Sequence, residues 1–288
     1  MTIFKTTSTK KQWPVNLALV IGIGLCLSFA NPFSNQEEKQ KIVSTNGTVS
    51  EILCALGLES NIVGTDITST YPPSLAKLPK VGHNRMVSAE GVLALAPDLV
   101  TGTSADINPQ LTEQLKTTHI KTNIYTQEFT VDGAKKLIQE VAASFHLESK
   151  GKQLVSQLEA DLAKVKKPAT RKKVLFIYAR GAGTMMVAGQ RTAPNGMIQL
   201  AGAENAVTDF NDFKPLSAEA LVAANPDVIL MFESGLKSMG GIDGLLKVQG
   251  IAETNAGKNK KVIEMDGQLL TGFGPRLGKA VAELASKL

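Results

Sequence analysis

The stretch Val81-Gly82-His83-Asn84-Arg85-Met86-Val87-Ser88-Ala89-Glu90-Gly91 gathers an ionisable ring, a cation and a carboxylate in one short segment. His83 and Arg85 stand two positions apart, so on an extended loop they project to the same side. A neutral imidazole ligates metals, and a guanidinium grips a carboxylate through two parallel hydrogen bonds. Ser88-Ala89-Glu90 reads as a helix start, with Ser as N-cap and Glu in the first turn near the positive end of the helix dipole. The segment therefore reads as a ligand-holding loop followed directly by a helix that displays an acid. The other histidines, His119 before a strand and His146 near a helix end, read as structural.

The elements that must position this segment alternate in type. Strands are expected at residues 42–44, 62–64, 99–100 and 121–125, with a rigid surface turn at Tyr71-Pro72-Pro73. Helices are expected from a cap at Thr48 or Ser50 through Leu56, stopping at Gly57, and at 88–96 and 110–116. Strands alternating with helices build a mainly parallel α/β layer. From Asp132 the pattern turns helical. Ala134, Leu137, Ile138, Val141, Ala142 and Phe145 recur at helical spacing, as do Leu154, Val155, Leu158, Leu162 and Val165. Gly151 and its polar surroundings predict a break between two helices. The second, over residues 147–168, would run about 30 Å and ends at Lys166-Lys167-Pro168. After Lys173 the alternation resumes with a strand at 174–178, the Gly-rich loop Arg180-Gly181-Ala182-Gly183-Thr184, and a helix from Met197 that ends at Gly202.

Composition bounds the rest. The 288 residues suffice for two ordinary domains, and 43% apolar with 20% charged residues marks a globular chain. The formal charge of +5 includes Lys5, Lys10 and Lys11 of an N-terminal segment without acids. The remaining +2 is too small to argue for nucleic acid or an anionic membrane surface. Residues 1–30 read as an export signal: Lys10 and Lys11 precede an apolar run at 15–30, and Ser28-Phe29-Ala30 has the small-x-small pattern of a cleavage site. An uncleaved anchor and a lipidated Cys26 are the alternatives; Leu25 stands where bacterial lipoprotein signals usually have a small residue. Residues 31–40 read as a polar tether. Cleavage leaves Cys54 as the one cysteine, a small thiol in an apolar run with no partner for a disulfide.

An internal repeat sets the organisation. Ser88-Ala89-Glu90-Gly91-Val92-Leu93-Ala94-Leu95-Ala96-Pro97-Asp98-Leu99-Val100 recurs as Ser217-Ala218-Glu219-Ala220-Leu221-Val222-Ala223-Ala224-Asn225-Pro226-Asp227-Val228-Ile229. The unit is a capped helix, a Pro-Asp turn and a strand, one copy on each side of the long helix. Two similar lobes joined by one stiff helix make a cleft, and small-molecule sites favour such interfaces.

Taken together, the sequence resembles the periplasmic haem-binding proteins of bacterial ABC importers, within the group that carries vitamin B12 and siderophores. The resemblance covers nearly all of the exported part. It rests on Thr70-Tyr71-Pro72-Pro73, Leu78-Pro79-Lys80-Val81-Gly82-His83-x-Arg85 with Ser88-Ala89-Glu90-Gly91, Tyr178-Ala179-Arg180-Gly181-Ala182-Gly183-Thr184, Lys214-Pro215-Leu216-Ser217-Ala218-Glu219-Ala220-Leu221 and Gly272-Phe273-Gly274-Pro275-Arg276. It implies an α/β fold of two similar Rossmann-like lobes, residues 41–146 and 169–288, joined by a single long rigid helix at 147–168, with the ligand in the cleft between them. It implies a carrier rather than an enzyme. Such a periplasmic protein captures haem as its transported ligand and delivers it to the permease dimer of an inner-membrane ABC transporter, downstream of an outer-membrane haem receptor system.

The chain departs from the family pattern at two places. The usual axial ligand is a Tyr where this chain has His83, and many members carry an Arg in the loop after the second Pro-Asp strand, where Glu233-Ser234-Gly235 stands here. The two changes agree, since a tyrosinate gains from a nearby guanidinium and a neutral imidazole does not need one. By this resemblance His83 is the expected ligand of the haem iron. Arg85 and, from the facing lobe, Arg180 are expected at the propionates. Met185 and Met186 are candidates for the apolar plane of the macrocycle, and Tyr71 and Tyr178 are alternative ligands. Glu90 and Glu219, equivalent in the repeat, are expected to dock on arginines of the two permease subunits. The plainer readings are a surface arginine, core methionines and first-turn acids favoured by helix dipoles. A siderophore or corrinoid carrier on the same fold is the first alternative, and a secreted α/β enzyme using the same cleft is the second. Three dispersed histidines argue against a zinc or manganese carrier. No nucleophile motif, Walker sequence or zinc-spaced Cys/His set is present, and Gly181-x-Gly183 is too short for dinucleotide binding.

Overall fold

Each lobe is built on a sheet whose successive residues face two different cores. The computed structural model describes residues 1–10, 39–107, 109–181, 183 and 185–288. Residues 1–10 carry no regular secondary structure. The apolar run of the expected export signal, Cys26 and residues 31–38 of the expected tether lie outside the described residues. Lys39–Leu288 forms one unit.

The N-terminal lobe runs β1 (Ile42–Ser44), α1 (Gly47–Ala55), β2 (Ile62–Thr65), the hairpin strands β3 (Gly82–His83) and β4 (Met86–Val87), α2 (Ala89–Leu93), β5 (Leu99–Thr103), α3 (Pro109–Lys116), β6 (Lys121–Tyr125) and α4 (Val131–Ser144). Its main sheet has the order β2-β1-β5-β6 and is parallel throughout. Helix α5 (Glu148–Ala163) follows. The C-terminal lobe runs β7 (Lys173–Ala179), β8 (Met185–Ala188), α6 (Ala193–Leu200), β9 (Glu204–Asn205), β10 (Phe213–Pro215), α7 (Ala218–Ala224), β11 (Val228–Phe232), α8 (Glu233–Ser238), α9 (Gly241–Leu245), α10 (Asn255–Lys258), β12 (Val262–Met265), α11 (Gly267–Thr271) and α12 (Leu277–Lys287). Its sheet has the order β10-β8-β7-β11-β12 with β9 beside β7, parallel from β7 to β12 and antiparallel at β8 and β10. The expected pair of α/β lobes is present.

Period-two alternation divides the apolar residues. Ile42 and Leu99 enter one core while Val43 and Val100 enter another. In the second sheet Val174, Phe176, Val228 and Leu230 join the first core, whereas Leu175, Ile177, Ile229 and Met231 form a third. The first core also contains Leu137, Ile138, Leu158 and Leu284, so it continues from one lobe through α4 and α5 into the other. Opening the lobes widely would expose this shared surface at about 25 cal/mol per Å², which favours small relative motion.

Several local expectations are corrected. Helix α1 is capped by Asn46, whose side chain accepts from Val49 N at 2.9 Å. Thr48 is instead spent on the other lobe, donating to Gly272 O at 2.5 Å. Gly57 ends α1 as foreseen, at φ +90°, with Leu58 N bonded to Leu53 O and Gly57 N to Cys54 O. Helix α2 stops at Leu93, short of residue 96, because Ala96 turns left-handed at φ +42° before Pro97. The linking helix has 16 residues, about 24 Å, and not the full 147–168. The break before it falls at His146, φ +56°, and not at Gly151. Gly151 lies inside α5 because a Cβ there would meet Ala142 Cβ at 2.6 Å; the glycine lets α4 and α5 approach. Cys54 is half-buried, and burial pushes its thiol up to about 12, away from thiolate chemistry.

Candidate functional site

The β3–β4 hairpin presents His83. Its register pairs Gly82 with Val87 and His83 with Met86, leaving Asn84 and Arg85 as the turn. Val87 is buried in the private core of the N-terminal lobe. The opposite face of the hairpin therefore carries His83 and Met86 side by side. Gly82 adopts φ +119°, and a Cβ there would lie 2.6 Å from Met86 O, so the hairpin requires glycine at this point. Asn84 fixes the tip by donating to Asp106 Oδ1 at 2.6 Å. Asp106 Oδ2 accepts from Asn46 at 2.5 Å and from Thr103 at 2.8 Å. The hairpin is thus tied to the helix cap of α1 and to the end of β5.

Around His83 the backbone N–H of Arg85 approaches Nδ1 at 3.3 Å. From the other lobe, Arg180 Nη2 reaches within 3.5 Å of His83 Nε2. Arg180 follows the C-terminal end of β7, where α/β sheets place ligands, and its guanidinium lies 5.9 Å from the centre of the Tyr178 ring. Arg85 and Arg180 are both exposed, and among the described residues neither has a carboxylate partner. Met86 is 79% exposed and Ile67, whose N–H bonds Gly82 O, is 51% exposed. His83 and the Arg180 guanidinium thus meet at the seam between the lobes, and the hairpin of His83 also carries exposed Arg85 and Met86 and bonds the backbone of exposed Ile67. Such a set suits a ligand with a metal centre, apolar faces and carboxylates.

Strands β7 and β8 pair antiparallel, a pairing that the sequence reading lacked. Met185 pairs with Ala179 and packs on the private core of the C-terminal lobe; Met186 pairs with Tyr178 on the opposite face. Tyr178 stacks edge-on to Phe232 at 6.1 Å. Tyr71 lies under the Arg276 guanidinium at 3.6 Å. Arg276 also pairs with Glu51 at 2.8 Å, both largely buried, and burial raises the Glu51 carboxyl against the opposing pull of that arginine. Gln268 Oε1 accepts from Thr70 N, Thr70 Oγ1 and Tyr71 N at 2.7–2.9 Å. The Gly272–Arg276 motif therefore fastens the C-terminal lobe to α1 and the Tyr71 turn. His119 and His146 are exposed at the start of β6 and at the α4–α5 junction.

A family model described as periplasmic binding protein matches residues 42–269, which include both sheets and the His83–Arg180 seam. The chain belongs to the periplasmic binding protein family. The solved periplasmic heme-binding protein RhuT from Roseiflexus sp. RS-1, in apo form, is 39% identical with a TM-score of 0.83, over 86% of this chain and 97% of that one. An uncharacterized ABC transporter substrate-binding lipoprotein of Bacillus subtilis, YvrC, is 31% identical over 88% of this chain and 81% of its own length. A vitamin B12-binding protein of Vibrio parahaemolyticus is 22% identical over 90% of this chain and 93% of its own. The internal repeat of residues 88–100 and 217–229 is realised atom by atom. Ser88 and Ser217 cap α2 and α7, each accepting a backbone N–H at 3.2 Å, and Glu90 and Glu219 stand exposed in the two first turns. Asp98 Oδ2 accepts from Lys41 N at 2.7 Å, and Asp227 Oδ2 from Lys173 N at 3.0 Å, tying each unit to the first strand of its lobe. The sequence reading missed Met86 and Ile67. The signal for Met86 was an apolar residue across the turn from His83, legible only once the hairpin register is known.

Proposed function

We propose that this protein is an extracytoplasmic carrier that captures haem between its lobes and delivers it to an inner-membrane ABC permease. The observation that carries the reading is Arg180 within 3.5 Å of His83 across the seam, with exposed Arg85 and Met86 on the same hairpin as His83. His83 is the iron ligand, and the haem supplies the metal and the macrocycle. Arg85 and Arg180 hold the propionates as charge-assisted pairs. Met86, with Met185 or Met186, covers the apolar faces. Heme binding by RhuT at 39% identity supports this ligand class. Glu90 and Glu219 meet basic residues on the two permease subunits, and the residues before Lys39 serve export or anchoring. Lobe 41–146, linker 147–168 and lobe 169–288 are the working parts.

A hemin titration read by absorbance tests the proposal. Wild type should give a saturable Soret band, and His83→Ala should blunt or shift it. An unchanged spectrum and affinity would remove His83 from the site. The B12-binding relative favours a corrinoid as the second reading; preferential binding of cobalamin over hemin in the same titration would select it.

A further inference from the structure

Within Lys39–Leu288, few large apolar side chains of the described residues are exposed, and two of them occupy the same position in the repeat. Leu93 in α2 is 42% exposed and Val222 in α7 is 45% exposed. Each follows its acid by three residues, Glu90 then Leu93 and Glu219 then Val222, so acid and aliphatic share one helix face in each lobe. The residue just before each aliphatic is spent inward, since Val92 and Leu221 are both buried. Each aliphatic is thus left partly uncovered at the equivalent place in two lobes that otherwise differ. In the N-terminal lobe, Glu90 and Leu93 also line a groove of about 780 Å³ with Ala94, Glu113, Gln114 and Thr117.

We infer that Leu93 and Val222 are paired apolar anchors of a docking surface whose occupant is a two-fold membrane permease. Each half of that partner brings a basic side chain to the glutamate and an apolar one to the aliphatic beside it. The charge complementarity to the exposed acids and the matched repetition of the pair argue for two copies of one subunit. The inference rests on the docking reading above and extends it from a charge pair to a mixed surface.

The test places the photo-crosslinker p-benzoylphenylalanine at Leu93, Val222, Glu90 or Glu219 of the full chain in the producing cell, with exposed Ile124 as control. Positions 93 and 222 should both attach to the same multispan membrane polypeptide, and position 124 should not. Capture at 90 and 219 but not at 93 and 222 overturns the anchors and leaves the docking reading standing. Silence at all four positions removes both. Attachment of 93 and 222 to different polypeptides overturns the two-fold partner. Leu93→Ser with Val222→Ser should also cut hemin uptake about tenfold with the Soret titration unaltered, while Leu93→Met with Val222→Ile should retain uptake; equal uptake by the serine pair would reject the anchors.

Discussion

The two lobes repeat a scaffold but not a site. Both begin with a strand whose opening N–H is taken by the aspartate of the Pro-Asp turn, and both display a serine-capped helix with an exposed glutamate. Yet only the N-terminal lobe turns out a glycine-dependent hairpin with an imidazole on its open face, and the C-terminal lobe answers with an arginine after β7. Symmetric features face outward, where a two-fold partner can use them. Asymmetric features lie at the seam, where the proposed haem would meet different groups on its two sides.

The largest test of this division removes what fastens the lobes. Arg276→Ala leaves Glu51 buried without its cation and should cost about 3 kcal/mol of stability by urea unfolding, whereas Glu51→Gln with Arg276→Met should cost less than either single change. The seam comes next. His83→Ala should weaken hemin binding by roughly a hundredfold, and Arg180→Ala by about tenfold, because a ligated imidazole contributes more than one exposed charge pair. Equal losses by titration would mean that the lobes share the ligand evenly and that the asymmetry is only apparent.

The repeat itself can be broken one copy at a time. Asp227 bonds Lys173 N and also Asn255 Nδ2 at 3.1 Å, whereas among the described residues the Asp98 carboxylate bonds Lys41 N alone. Asp227→Ala should therefore destabilise more than Asp98→Ala, by about 1 kcal/mol. The Lys173 N–H holds the Asp227 carboxyl below its ordinary value. A depressed folded value means that its stabilisation is complete above the ordinary carboxylate range near ~4 and is lost as pH falls through the lowered value. Asp227→Asn should flatten the acid limb of a stability–pH curve in that window; an unaltered limb would remove this carboxylate from acid stability.

The smallest test swaps the left-handed residue before each proline. Ala96 and Asn225 sit at φ +42° and +39°. Asn tolerates that region better than Ala, so Ala96→Asn should stabilise by a few tenths of a kcal/mol, roughly. Asn225→Ala should lose more than this, since Asn225 Oδ1 also accepts from Asn255 N at 2.8 Å. Thermal melts of the two variants measure the difference.

Short-range chemistry was readable along the chain. Ser88 and Ser217 as caps, Gly57 as a helix stop, the Pro-Asp turns and the alternation of strands with helices all depend on neighbours within a few residues, and the repeat itself is a comparison of two lines of letters. Long-range competition was not readable. Thr48 reads as a cap until Gly272, far along the chain, takes its hydroxyl, and Gly151 reads as a break until Ala142 packs against it. Residue types alone determined that His83 and Arg85 sit on one loop and that Glu90 and Glu219 are equivalents. Only the tertiary structure decided that Arg180 faces His83 and that Met86 stands beside it, uncovered. Local preference is written in adjacent residues, whereas which side chains meet across a seam depends on hydrogen-bond register and shared cores that no short stretch of sequence contains.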